Sequence, residues 1–404
     1  MRILVLDTIH GGRIIADRLR LSGHETDIVD VYRHREGISE EEALSNRYDL
    51  VTYPVHLDPC YPLLQKIASP AVTHHQVVRW LLKDSVRDNF IEITGAKGKS
   101  TTAAALASLL PGPGILHTSS GLVQYPEKRY VGRHSITPAS LLNVSDTSFP
   151  YDWIIGEISL GFCGIGSMGI LTSEADYLVA GGKKSAIEIK KESIFLVPRV
   201  IVPPGFHLSH PGCIDASNLV SVLEDLCTYS YNEMQGSFRN DLLRLPGYKT
   251  PLMLAAAAAL IKGISPQTLS RFKALPGRME VRREEGKIIL DNSNSGTTLD
   301  TTIEAMRFGR EISENMPSTL IIGQEASSVC DNFSTEDISS AISRTSPDMV
   351  ILIPGDPRIN PGGISDICMD KKIPFHLATT YVNALNTAMQ EKNPLIIMSV
   401  KRWR

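Results

Sequence analysis

The stretch IEITGAKGKSTTAAALASLL, residues 91–110, decides how the chain is read. An apolar run with the character of a buried strand ends at Gly95, and an alanine-rich helical run starts after Gly98. A glycine loop between strand and helix suits a phosphate: its N–H groups turn toward the anion, and the helix adds the positive end of its dipole. Lys99 is then placed to reach the terminal phosphates, and the Ser100 hydroxyl to bind Mg²⁺. The spacing is short, however. The common pattern needs a glycine five positions before the Gly-Lys pair, where this chain has Ile93, and Gly95 stands only three residues ahead of Gly98. A plain glycine turn with a solvated lysine is the bland alternative, and the coincidence of Gly, Lys, Ser and two threonines at one junction argues against it.

On the N-terminal side, RILVLD reads as a strand, RIIADRLRLSG as an amphipathic helix, ETDIVDVY and YDLVTYP as strands, and HHQVVRWLLKDS as a helix. On the C-terminal side, YDWIIGEIS and ADYLVA read as buried strands, followed by SIFLVP and RVIVPPG, then the helix TPLMLAAAAALIKG. KIILDNSNSGTTLDTTIEAMRFG repeats strand, loop and helix, and STLIIGQ, DMVILIPGD and NPLIIMSV add short strands. This alternation predicts an α/β protein with parallel sheets, divided into domains at 1–86, 87–278 and 279–404.

Composition agrees. With 404 residues, 42% hydrophobic and 21% charged, the chain is long enough for two or three cores. The six cysteines (Cys60, Cys163, Cys213, Cys227, Cys330, Cys368) form no CxxC pair, as expected for reduced thiols in the cytoplasm. A net charge of -3 gives no bulk reason to expect nucleic-acid binding, so a small-molecule substrate is the starting expectation. The opening MRILVLDTIHGG reads as a strand and not a signal peptide, and no apolar run approaches the roughly 20 residues of a membrane span. Nothing in the sequence reports an oligomeric state.

The shortened loop T-G-x-x-G-K-[ST]-T is the form carried by the Mur ligases and their folylpolyglutamate-synthetase relatives, and TGAKGKST resembles it closely. The resemblance implies a three-domain Mur ligase-like architecture, with a central P-loop ATPase domain between Rossmann-like flanking domains. ATP would lie on Gly95, Ala96, Lys97, Gly98, Lys99, Ser100 and Thr101. In WIIGEISLG, Glu157, followed by Ser159, falls where the family holds Mg²⁺ near the γ-phosphate, together with Ser100. A carboxylate leaving a buried strand toward a phosphate is costly without such a cation.

Further motifs follow in the family's order. In LTSEADYLVAGGKKSAIEIKKESIF, Asp176 falls where a metal-binding histidine is expected, and Ser173 replaces an asparagine. Lys191 falls where the family carbamylates a lysine to bridge magnesium, with an exposed basic pair, Lys190 and Lys191, as the alternative. In GYKTPLMLAAAAALIKGIS, Lys249, Thr250 and Met253 replace the polar residues that contact adenosine, which leaves a helix-packing face. LPGRME and ILDNSNSG supply Arg278 for the phosphates and Asp291 and Asn294 for the ribose and adenine end of ATP. A surface arginine and an Asx turn are the alternative.

The family activates a carboxylate. Attack on the γ-phosphate gives an acyl phosphate, which a nucleophile captures, with Lys99, Glu157 and Lys191 as the expected catalytic groups. The opening LVLDTIHGGRIIADRLRLSGHETDIVDVYR resembles an archaeal branch that acts on a nickel tetrapyrrole, where a ring carbon of the same molecule captures the acyl group. Gly11-Gly12 would allow close backbone approach to that ligand, and His10, His74 and His75 are candidate contacts, with incidental histidines as the commoner case. HLSHPGC, with His207, His210 and Cys213, has metal-like spacing but lacks an evident fourth ligand. An amide-forming ligase of cell-wall or polyglutamate type, and a nucleotide-binding protein without ligase chemistry, stay open.

Overall fold

A computed structural model of the chain describes residues 1–83, 87–145, 151–326 and 333–402. The expected boundary at residue 86 and Cys330 lie outside the described residues. The chain forms two compact units, Met1–Phe272 and Lys273–Arg404, where the sequence reading separates three domains.

The first unit opens with a parallel sheet of β1 (Arg2–Leu6), β2 (Glu25–Val29), β3 (Leu50–Tyr53) and β4 (Ala71–Thr73), in the order β2-β1-β3-β4. β1 leads one way to β2 and has β3 on its other side, so the connections reverse between β1 and β3. In open α/β sheets the crevice at the carboxyl ends of such strands is where ligands sit.

The second sheet of this unit has eight strands. β5 (Arg87–Thr94), β6 (Gly114–Thr118), β9 (Trp153–Glu157), β10 (Gly166–Leu171), β13 (Arg199–Val202) and β14 (Cys213–Asp215) are parallel. The antiparallel β7 (Gly121–Tyr125) and β8 (Arg129–Gly132) complete the order β14-β13-β10-β5-β9-β6-β7-β8. Helices cover both faces of a parallel sheet, which is why FIEIT and WIIGE are nearly all buried and do not alternate. Ile3, Val5 and Leu19 of the first sheet's layer share one core with Phe90, Leu141 and Ile154 of the second, so the two sheets belong to one unit. The helix Pro246–Ile261 lies against the phosphate-loop helix Lys99–Ala107, and its alanines 255–259 are fully buried because small side chains let two backbones approach. A three-stranded antiparallel sheet over Val220–Arg239 completes the unit.

Glu92 pins the centre of the large sheet. Its buried carboxylate accepts backbone N–H groups from Cys163 (2.6 Å), Gly164 (3.1 Å), Ile165 (2.6 Å) and Gly166 (3.0 Å). Burial pushes this carboxyl up, and the four N–H groups draw it part of the way back.

Two strand expectations are corrected. ADYLVA is not a buried strand: only Leu178–Val179 is extended, in an exposed hairpin with Lys184–Ser185 that turns at Gly181 and Gly182. SIFLVP closes the helix Ala186–Ile194, where Ile194 and Val197 face the core at helical spacing.

The second unit is a six-stranded sheet in the order β18-β19-β23-β20-β21-β22, parallel except for β18 (Glu280–Glu284) against β19 (Lys287–Asp291). β20 (Ser318–Gln324), β21 (Met349–Pro354), β22 (Phe375–Leu377) and β23 (Leu395–Lys401) complete it. The five cysteines among the described residues are all free thiols. Among the described residues, no helix is long and apolar enough to cross a membrane.

Candidate active site

β5 delivers the phosphate loop at its carboxyl end. Gly98 precedes the helix Lys99–Ala107 with φ at +82°, a left-handed conformation that favours glycine, and a Cβ there would meet Pro251 at 3.1 Å. No side chain caps this helix, so its first-turn N–H groups form a positive end suited to an anion. Ser100 and Thr101 are both buried in that turn.

Glu157, at the carboxyl end of the adjacent β9, turns its carboxylate to this corner. Ser100 Oγ donates to Glu157 Oε2 at 2.8 Å, and Lys99 Nζ lies 3.8 Å from Oε1 while donating to the Gly95 carbonyl at 2.9 Å. The turn between β6 and β7 adds a wall that the sequence reading missed: Ser119 N–H donates to Glu157 at 3.2 Å, and its hydroxyl lies 3.4 Å from that of Ser100. The structure thus brings together Lys99, Ser100 and Glu157.

Other expected residues lie differently. The N–H groups of Ala96 and Lys97 donate to Ser173 Oγ at 3.1 and 3.2 Å, so in this structure a hydroxyl stands where the loop was expected to face phosphate. Asp176 is exposed and holds its own hairpin: it accepts from Ser185 Oγ and from Ile187 N–H, bonds that keep its carboxyl below the usual range. The expected metal ligand Asp176 thus spends both carboxylate oxygens on its own hairpin in this structure.

The Lys191 ammonium pairs with Glu188 at 2.8 Å and lies 6.0 Å from the Phe206 ring. One residue earlier, Lys190 is fully buried, donates to the Ala186 carbonyl at 3.1 Å and lies 4.8 Å from the Tyr177 ring. Burial pushes its amine down to about 8, and the charge of Lys99 pushes the same way against Asp176. Neighbouring helix positions point about 100° apart, so only one of this pair faces Lys99.

Gly11 and Gly12 serve packing. A Cβ on Gly11 would fall 2.5 Å from that of Ala139, and one on Gly12 would fall 2.0 Å from the Asp7 carbonyl. His210 Nδ1 accepts from Gly212 N–H within its own loop, and no group of three or more His, Cys, Asp or Glu among the described residues is placed to hold a metal ion.

In the second unit, Asp291 ends β19 and Asn294 lies on the loop that follows it. Asp291 accepts from Tyr381 Oη at 2.7 Å and from Ser293 N–H at 2.9 Å. Asn294 Nδ2 donates to the Gly277 carbonyl at 2.8 Å, which ties this loop to the half-buried Arg278, while its Oδ1 accepts from Gly296 N–H in an Asx turn. Tyr381, which orients Asp291, was not legible from the motif.

The fold has known counterparts. The UDP-N-acetylmuramate-alanine ligase MurC of Thermotoga maritima superposes with a TM-score of 0.53 at 14% identity, covering 99% of this chain and 95% of that one. The architecture is therefore that of the Mur ligases. A family described as coenzyme F430 synthetase CfbE, C-terminal domain, matches residues 281–402. The coenzyme F(430) synthetase of Methanosarcina acetivorans is 30% identical over 403 residues, spanning 82% of this chain and 84% of that protein. The coenzyme F(430) synthetase of Methanocaldococcus jannaschii is 22% identical over 382 residues, spanning 85% and 88%. This chain belongs to the coenzyme F(430) synthetase family.

Proposed function

We propose that the chain is an ATP-dependent ligase that activates a carboxylate of the nickel tetrapyrrole 15,17(3)-seco-F(430)-17(3)-acid and closes its carbocyclic ring to give coenzyme F(430), ADP and phosphate. The observation that carries this reading is the convergence of Lys99, Ser100 and Glu157 on one open helix N-terminus, in a chain similar to these synthetases over four-fifths of its length.

Lys99 neutralises charge on the terminal phosphates as the substrate carboxylate attacks, and the helix N-terminus holds the phosphate in line. Magnesium fits the corner: a buried carboxylate, a hydroxyl and phosphate oxygens are the hard donors it takes, with water completing its shell. Bound there by Ser100 and Glu157, the ion supplies positive charge beside the γ-phosphate. Lys190 takes the place expected of Lys191: once its ammonium proton is lost to water, the neutral amine adds to CO₂ and its nitrogen gives up a second proton to water, leaving a carbamate anion within the field of Lys99 in place of a second cation.

The test is phosphate release from Mg-ATP under anaerobic conditions, with the nickel seco-acid as the sole added carboxylate. Release with a product one water lighter supports ring closure. Release only when an amine acceptor is supplied places the chain among amide-forming ligases.

A further inference from the structure

Ring closure on carbon has a requirement that amide formation does not share. The acyl phosphate carbon bonds to a ring carbon, the acyl–oxygen bond breaks, phosphate leaves with the electron pair, and the hydrogen on that ring carbon must go to a base. None of Lys99, Ser100 or Glu157 is suited to take it, since all three face the phosphates.

The carboxyl edge of the four-stranded sheet gathers such groups from every strand. Asp7 and His10 follow β1, Tyr32 follows β2, His56 follows β3, and His74 and His75 follow β4. The rings of His10 and His56 meet edge-on at 4.4 Å, and His10 lies 4.8 Å from Tyr32. His10 and His56 thus flank the β1–β3 switch point. His75 Nε2 reaches the Ser159 carbonyl at 3.0 Å, two residues beyond Glu157, so this edge adjoins the phosphate corner within one unit. His74 is 1% exposed, yet among the described residues no group bonds either of its ring nitrogens, and His56 Nε2 has no such partner either. Unsatisfied buried nitrogens of that kind point to a ligand or ordered water at this place.

We propose that Asp7 and His10 form a general-base dyad that removes the proton from the ring carbon as it is acylated, an inference that rests on the ring-closing reading above. Asp7 is fully buried and fixed by N–H groups of Ile9 (2.8 Å), His10 (2.7 Å) and Gly12 (3.2 Å). Its Oδ1 lies 3.3 Å from His10 Nδ1. That contact places the ring proton on Nδ1 and leaves Nε2 as the basic nitrogen, on a side chain still one-third exposed. Burial works against the Asp7 anion, but His10, the field of His74 and the Ile9 N–H outweigh it and hold the carboxyl below its usual range. Burial pushes His56 down to about 4 and His74 to about 3 and pushes Tyr32 up, so these three neighbours are neutral near pH 7, and Lys184 is a cation whose field reaches His56. Asp7 is accordingly a positioning residue.

The experiment is an anaerobic single turnover of the whole chain with Mg-ATP and the nickel seco-acid, quenched for both ADP and carbocyclic ketone. For His10→Gln, ATP affinity and ADP formation should stay near wild type while the stranded acyl phosphate hydrolyses. Ketone formed per ADP should fall about 100-fold or more, the usual worth of a positioned base. Added imidazole should restore ketone in His10→Ala. A wild-type ketone-to-ADP ratio in His10→Gln would overturn the dyad, as would equal loss of ADP and ketone with no imidazole rescue. A wild-type chain that forms ADP but no ketone removes the ring-closing reading itself, and the dyad with it.

Discussion

Lys190 allows a prediction with a worked magnitude. A carbamate forms only on a neutral amine, and with its amine at about 8 against an ordinary 10.5, Lys190 is neutral in about one molecule in eleven at pH 7. An ordinary lysine would be neutral in about one in 3,000, so burial enriches the reactive form about 300-fold. Below pH 8 the carbamate should therefore increase at least tenfold per pH unit under a fixed CO₂ headspace. Fixed headspace matters, because at constant total bicarbonate the dissolved CO₂ falls as the pH rises. The assay is phosphate release from Mg-ATP with the nickel seco-acid between pH 6 and 8, with CO₂ present, stripped and restored. Wild-type activity should fall on stripping and return on restoration. Lys190→Arg keeps bulk and charge but cannot lose its proton, and should lose about 100-fold or more, roughly 3 kcal/mol of transition-state stabilisation, with no response to CO₂. Lys191→Ala should stay within about twofold, as expected for half of a surface pair. Full turnover by Lys190→Arg, or a CO₂ response that disappears with Lys191 instead, would refute the assignment. Stability has its own sign. The lowered amine means the unfolded chain binds the extra proton between about 8 and 10.5, so the folded state gains stability as pH rises through that window.

Lys99→Ala removes a cation at the phosphates and no core packing, so turnover should vanish while the melting temperature holds; normal turnover would remove the loop from the site. Asp176→Ala should leave the Mg²⁺ titration of activity unchanged and lower the melting temperature, because the side chain holds the start of the helix Ala186–Ile194. A sharply raised Mg²⁺ requirement would return Asp176 to the metal. Glu92→Ala leaves four buried N–H groups without an acceptor at about 1–3 kcal/mol each, so denaturant unfolding should register a loss of at least about 4 kcal/mol. A change below about 1 kcal/mol would mean that water or a backbone shift satisfies them.

What could be read from the sequence, and what could not, divides by physical range. The meeting of Lys99, Ser100 and Glu157 was legible because loop, lysine and serine are contiguous and Glu157, singled out by the family resemblance, ends an apolar strand beside them. Lys190 and Lys191 show where such rules end. A motif offset places two adjacent lysines equally well, and only the rotation of the helix Ala186–Ile194 buries one fully and leaves the other half-buried. Asp176 is ambiguous for a related reason: a carboxylate near a helix start serves a metal or the helix with the same letters, and the hairpin it holds was read as a buried strand. The histidine edge was legible only in part: His10 and His74 were candidates in the sequence, but His56 was not, and the three follow different strands and meet only through the β2-β1-β3-β4 order. Even so, its chemistry is local in one respect. Asp7 and His10 are three residues apart after a strand, so the strand's end places a buried carboxylate against a one-third exposed imidazole before any long-range contact is made. An amine nucleophile brings its own basic electron pair to an acyl phosphate, whereas a ring carbon must lose a proton to something. The Asp7–His10 pair is thus the feature by which a carbon-acylating enzyme would differ from an amide-forming one on the same fold.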